Sequence, residues 1–460
     1  METKNKQTFR SLSENVGQFN LQNKTFLIPE MNRIGSHFLA AAFRGFGINA
    51  LIMDTYEGLE LGKEFTSGKE CYPCQVTLGD ILLFMKKEQE RLGKAFDPEK
   101  YVYFMPEATG PCRFGMYNKY QRIVLDSFPE LKDLKIGSLT TENSYSLEGM
   151  IEKAQTRNFR KVAYFSVVVA DIFDRLLWRI RPYEKEPGLA DAFIEKSMET
   201  MCRAFETHGA SRAFDKILGL LEEIIHEGKS IIDPSIPPKP MIGMVGEIYL
   251  RTHTPSNQDI IRLLERYGAE VVNASIAEWV NFTTYENKRN AMMGLRLNLK
   301  QFRMKKVKQY LKQVLSQGID LLYQQYRQNQ IYRRVETLID LPADHQVAHL
   351  EKVLKEKDLF SFDVGTEACL SIAGIMEYIR EGYNGVVNVY PFTCMPSTMT
   401  SAVVKPIMTK AKVPFLEAPY DGTYQPGREA AIRTFMYQAE QHLERNGRKD
   451  QVAHDNKNAH

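Results

Sequence analysis

Apolar positions cluster near the start of the chain in a strand–helix–strand order. TFLIP (25–29) predicts a buried strand, a loop with Gly35 follows, and HFLAAAFRGF (37–46) predicts an almost wholly apolar helix that Gly47 ends. INALIMD (48–54) then predicts the next strand. The same form recurs near residue 241. MIGMVGEIYL is strand-like, Ser256 with Asp259 gives a capping signature, and Ile260, Ile261, Leu263, Leu264 and Tyr267 mark one side of a helix that stops at Gly268. AEVVNA (269–274) is the strand that follows.

The later parts of the two halves also correspond. In the first come Cys71 and Cys74, an apolar helix (76–87), the strand YVYFM (101–105), Pro106, and Cys112 ahead of another helix. In the second come Cys369, an apolar helix (370–380), the strand VVNVY (386–390), Pro391, and Cys394 ahead of another helix. The pattern predicts an α/β protein with two parallel-sheet halves. Loops leaving the carboxyl ends of parallel strands gather on one edge, where such sheets bind ligands, so the cysteines are expected to converge there.

Other stretches differ in character. The expected organisation is an N-terminal α/β domain over 22–144 carrying Cys71, Cys74 and Cys112, a helix-rich segment over 145–230, and a C-terminal α/β domain over 241–430. IIDPSIPPKP (231–240), with four prolines, reads as the linker at the duplication break. Residues 296–340 read as basic amphipathic helices inserted in the second half, more a solvated face than a membrane or nucleic-acid surface, because aromatic residues share their apolar side. The tail over 443–460 is polar and expected to fray.

Composition narrows the class. A chain of 460 residues exceeds what one hydrophobic core serves, while 43% apolar and 25% charged residues are ordinary for a globular protein. Sixty Lys and Arg against 57 Asp and Glu leave +3, too little for a general polyanion-binding field, so no nucleic-acid partner is expected. No secretory apolar core occupies the first twenty residues and no run approaches the ~18 apolar residues of a membrane span. Six cysteines are too sparse for a disulfide scaffold. The expectation is a cytoplasmic protein with reduced thiols and no membrane partner.

Those thiols carry the sharpest chemistry: GKECYPCQVTLGD (68–80), GPCRFGMY (110–117), ACLSIAG (368–374) and YPFTCMP (390–396). Thiolates are soft anionic ligands for zinc or iron–sulfur clusters, and amides at helix starts stabilise negative charge. A structural zinc site prefers two close pairs, whereas only Cys71 and Cys74 are paired here. A dithiol redox centre places its pair directly after a strand, whereas Cys71 follows GKEFTSGKE. Core packing fits Cys202 best, since TMCRAF reads as mid-helix. Gly62 and Gly68 with Lys69 miss the phosphate-loop spacing and its hydroxyl, because Glu70 follows the lysine, and no dinucleotide glycine fingerprint follows either leading strand. His345 and His349 lack a metal-binding helix pattern and read as surface residues. His253 and Glu247 lie on the expected ligand edge, with loop packing the commoner role for such a histidine. The Asp and Arg residues of 171–181 read as surface or interdomain ion pairs of small worth on a helix that Pro182 ends.

Together TFLIPEMNRIGSHFLAAAFRGFGI, LGKEFTSGKECYPCQVTLGD, GPCRFGMYNKYQR, VGEIYLRTHTPSNQDIIRLLERYGAEV and PFTCMPSTMTSAVVKPI resemble the stand-alone relatives of 2-hydroxyacyl-CoA dehydratase subunits, the CoA-substrate-specific enzyme activase-related family. The resemblance runs over most of 22–430. It implies flavodoxin-like or Rossmann-like halves with extra helical segments, and a cluster of the [4Fe–4S] or double-cubane type. Cys71, Cys112 and Cys394 are the implied ligands, with Cys74 and Cys369 as additional ones. It further implies an ATP-hydrolysing activase partner delivering a low-potential electron, an acyl-CoA substrate for a dehydratase-like lyase or another small molecule for a cluster-dependent reductase, and a homodimeric or heterodimeric assembly. The alternative is a non-catalytic scaffold or maturation partner with a structural metal site.

Overall fold

The computed structural model describes residues 11–458 apart from 109, 142–144 and 146. The first ten residues, part of the stretch in which no secretory core was read, lie outside that set, as do residues 459–460 of the tail. In chain order the strands are β1 (Val16–Gly17), β2 (Thr25–Pro29), β3 (Asn49–Met53), β4 (Tyr101–Phe104), β5 (Lys135–Gly137), β6 (Met241–Gly246), β7 (Glu270–Asn273), β8 (Gly385–Pro391) and β9 (Phe415–Tyr420). The helices include α1 (Arg33–Gly45), α2 (Leu59–Glu64), α3 (Tyr72–Leu92), α4 (Tyr117–Leu125), α5 (Lys153–Ile180), α6 (Leu189–His208) and α7 (Phe214–Lys229). They continue with α8 (Ile248–Thr252), α9 (Ile260–Arg266), α10 (Ile276–Lys300), α11 (Met304–Val335), α12 (Val347–Glu356), α13 (Ala368–Arg380), α14 (Met395–Ala411) and α15 (Arg428–Asn458).

The chain forms two compact units. The first comprises Met1–Asp174, Ile194–His226 and Ile276–Asp340, and the second Arg175–Phe193, Glu227–Ser275 and Leu341–His460. The first holds a parallel sheet in the order β1-β5-β4-β2-β3, and the second a parallel sheet in the order β7-β6-β8-β9. Leaving aside β1, both sheets place their strands second, first, third, fourth. That is the flavodoxin-like order, whose crossover reverses direction between the first and third strands and opens a crevice beyond their carboxyl ends. The two α/β halves read from the sequence are therefore present as two sheets of one topology.

In the first unit, Phe26 of β2 and Phe43 of α1 pack edge to face at 4.9 Å, with Phe159 beyond at 4.3 Å from Phe43. A separate apolar cluster joins Leu27, Tyr103 and Ile136 of the strands to Leu78, Ile81 and Leu82 of α3. Helices α2 and α3 meet backbone to backbone. A Cβ on Gly79 would stand 1.9 Å from the Gly58 carbonyl oxygen, and one on Gly62 2.0 Å from that of Gln75. This contact accounts for Gly62, which the sequence offered only as half of a failed phosphate loop.

Several details depart from expectation. The helical pair read over 296–340 as an insertion in the second half begins at Ile276, and its contacts group it with the first unit. The strand read over MIGMVGEIYL ends at Gly246 and gives way to α8. Asp259 caps α9, accepting from Arg262 N–H, and Asn257 takes the Ile260 amide, while the Ser256 hydroxyl bonds the Nδ1 of His253 at 2.6 Å. Helix α5 ends at Ile180 with Pro182 just beyond, as read, but its charges are not surface pairs. Asp171, Asp174 and Arg175 are buried. Asp171 accepts the Ile276 and Ala277 amides at 2.9 and 2.8 Å, capping α10, and Arg175 pairs with buried Asp344. Residues 168–176 are buried throughout, which leaves no solvated stripe for them, so the charges are matched internally, and breaking such a pair costs about 3–5 kcal/mol.

Candidate thiolate and carboxylate sites

In the first unit Cys71 caps α3, with Pro73 in the first turn, where its missing N–H costs nothing. Cys74 and Gln75 both donate their amides to the Cys71 carbonyl, at 3.1 and 3.3 Å. The backbone at Cys71 has φ 94° and ψ 141°, a conformation that side chains other than glycine's adopt at a cost of about 1–3 kcal/mol. Cys74, one turn on, is fully buried in the apolar cluster, and its thiol is pushed far up by burial and next by the Cys71 sulfur.

Cys112 lies beyond β4, one of the two strands flanking the crevice, and caps the 3-10 turn Arg113–Met116. The Phe114 amide reaches its Sγ at 3.5 Å. Arg113 Nη1 donates to the Lys69 carbonyl at 2.7 Å, tying the Cys112 loop to the loop before Cys71. Asp80, the last residue of the GKECYPCQVTLGD motif, takes the Thr55 hydroxyl at 2.7 Å and the Tyr56 amide at 2.8 Å. Burial raises its carboxyl to about 7, against the pull of those bonds. Its role is to hold the 54–58 turn against α3.

In the second unit β6 ends at Gly246, φ 126°, where a Cβ would stand 1.9 Å from the Val389 carbonyl of β8. Glu247 follows and caps α8, accepting the amides of Tyr249 at 3.1 Å and Leu250 at 2.9 Å. Glu367, the residue that begins α13, brings a second carboxylate beside Glu247 at this helix start, where the Ile248 amide opposes the rise in its pKa. Two carboxylates thus share the start of one short helix. Burial raises both, Glu367 to about 8 with the Glu247 charge as its second cause and the Arg251 cation opposing. Two like charges in a water-poor site each favour the protonated form of the other. Glu367 Oε1 is buried and accepts no hydrogen bond.

Cys394 caps α14 with Pro396 in its first turn, after Thr393 at φ 64°. It is buried, and desolvation, then the Glu367 and Glu247 charges, push its thiol far up. The amide and hydroxyl of Ser397 pull the other way. Cys369, second residue of α13, is fully buried and donates its Sγ–H to the Ser361 carbonyl at 3.6 Å.

The topology sets these residues in correspondence. Cys112 and Cys394 each cap the helical turn after the third strand of their sheet, and Cys71 and Glu367 each cap the helix before it. The second half thus has a carboxylate at the position where the first has a thiol. Sequence reasoning aligned Cys369 with the first-half pair and passed over Glu367, two residues upstream. A glutamate beginning a helix is an ordinary capping residue, so no sequence signal singles it out.

The remaining candidates are placed as follows. Cys202 is buried in α6, its thiol raised to about 11 by burial. His253 is 2% exposed, rests on the Tyr249 ring at 4.7 Å, and burial lowers it to about 3, so it is a neutral packing residue. His345 and His349 do not share a helix, because α12 begins after Gln346, and both meet Glu377. Among the described residues, His345, Glu377 and Glu381 form a group of three metal-binding side chains with donor atoms within 4.8 Å of one another, and no group of that kind contains a cysteine. None of the helices in that set is long and apolar enough to cross a membrane. No protein-family model matches the chain, and no curated protein matches it.

Proposed function

We propose that this chain is an iron–sulfur protein of the kind its sequence resembles, taking low-potential electrons from a separate ATP-hydrolysing activase for reductive or radical chemistry on a small molecule such as an acyl-CoA. The observation that carries the reading is that Cys71, Cys112 and Cys394 all cap a helical turn on the carboxyl edge of a parallel sheet. The Cys112 sulfur accepts the Phe114 amide there, and the partial positive charge of a helix start favours a thiolate. The donor chemistry fits a cluster. Cys71 is held in a costly backbone conformation, and Cys394 lies beside two carboxylates that disfavour a bare thiolate and welcome a cation.

Cys71, Cys112 and Cys394 are therefore the ligands of first choice. Cys74 and Cys369, in the first turns of their helices and fully buried, follow them. When bound, a cluster supplies one-electron chemistry at a potential set by its surroundings. The chain's own residues would contribute a reserve proton on the Glu247–Glu367 pair. Purification without oxygen should give a brown protein containing iron and sulfide in comparable amounts, with a paramagnetic signal after reduction. Serine at Cys71, Cys112 or Cys394 should remove most of the iron, while serine at Cys202 leaves it. A colourless chain holding one tight zinc overturns the reading.

A further inference from the structure

Away from the thiols, the second unit brings two imidazoles and two carboxylates together at the end of α13. His345 Nε2 stands 2.8 Å from Glu381 Oε1 and 3.5 Å from Glu377 Oε2, and His349 Nε2 stands 3.1 Å from the same Glu377 oxygen. The two rings lie nearly parallel, 23° apart, with centroids at 5.8 Å. Glu377 is 2% exposed, whereas the side chains of His345, His349 and Glu381 remain partly open to solvent. A buried carboxylate at the floor and three reachable donors at the rim give an ion both a seat and an entrance.

The electrostatics of the helix favour a cation here. Glu377 and Glu381 occupy the last turn and cap of α13, where unpaired carbonyls already carry partial negative charge and carboxylates are unfavourable. Arg380 supplies the positive charge in this structure, bonding Glu377 and approaching Glu381 at 3.6 Å. Its side chain is 62% exposed, so it can leave without desolvating anything. Tetrahedral zinc, with nitrogen and oxygen ligands at about 2.0–2.2 Å, separates its donors by roughly 3.4 Å. The 3.5 and 3.1 Å separations lie within a few tenths of that spacing, and the 2.8 Å pair of His345 and Glu381 opens to admit the ion.

We propose that His345, Glu377 and Glu381 form a binding site for a borderline divalent ion such as zinc, whose arrival displaces Arg380 from Glu377 and draws in His349, which already meets Glu377, as the fourth ligand. The ion ties the start of α12 to the end of α13, the helix whose opposite end carries Glu367. Imidazole nitrogens with carboxylate oxygens select zinc, cobalt or nickel over calcium or magnesium.

The test is titration of the chelator-stripped full chain with Co²⁺ followed by visible absorption, then competition with Zn²⁺. Expected is one equivalent giving tetrahedral d–d bands without sulfur-to-cobalt charge transfer, unchanged by serine at Cys71, Cys112 and Cys394. His345→Ala with His349→Ala should weaken that binding by at least about tenfold. Arg380→Ala should tighten it, a gain that a misfolded variant would not give. Cobalt bands of thiolate character only, or an affinity indifferent to the histidine and arginine changes, overturn the proposal. Loss of the thiolate cluster with this cobalt signal intact would count against the proposed function alone.

Discussion

At the scale of the residue, burial decides which charged group keeps its proton. Glu367, raised to about 8 from an ordinary 4.5, binds its proton more tightly folded than unfolded. Its contribution is therefore complete below the unfolded value and disappears as pH climbs through about 8. His253, lowered to about 3, acts in the opposite sense. Its contribution is present above the ordinary 6.5 and is lost as pH falls towards 3. Urea denaturation of metal-free protein should thus show the second unit losing on the order of 2–4 kcal/mol between about pH 5 and about pH 9. Glu367→Gln should remove most of that slope. The thiols were legible in the sequence because cysteine is rare and its spacing repeats. Glu367 and Glu377 were not, since glutamate is common and their neighbours, Glu247 and His349, are far along the chain or on another helix.

At the scale of the element, the strands and their order were the most legible feature. β2, β6 and β8 each read as short, nearly continuous apolar runs, the signature of strands buried on both faces, while β3, at the sheet edge, keeps Ala50 and Met53 buried and Leu51 exposed. The helix pair α2–α3 was not, because its contact is made by glycines whose value lies in what they lack. Gly79→Ala should place a methyl against the Gly58 carbonyl. The two backbones must then part, at a cost of about 1–3 kcal/mol or more in the denaturation midpoint of the first unit. Alanine at Gly219, with open space around it, is the matched control and should cost nothing or stabilise the helix. The buried charges of α5 were misread for a related reason. A mixed apolar and ionic run looks solvated unless a second apolar layer covers its polar side.

At the scale of the whole molecule, the repeated strand order is what the duplicated sequence pattern foreshadowed, whereas the allegiance of residues 276–340 to the first unit was invisible. Chain order places them within the second half, and only tertiary contacts assign them otherwise. Hydrogen exchange should reveal two protected centres, one over β2 and β4 and one over β6 and β8, with the short outer β1 exchanging early. A single graded pattern across both sheets would contradict two cores. The distribution of sulfur has a practical consequence for the chain as a whole. All six thiols are reduced, and Cys112 alone among them is partly exposed. Stripped of metal yet native, the protein should therefore meet an alkylating reagent as though it owned a single sulfhydryl. Denaturant should release Cys71, Cys74 and Cys202 with the first unit and Cys369 and Cys394 with the second, so a colorimetric count of free sulfhydryls becomes a gauge of how much of each unit is folded.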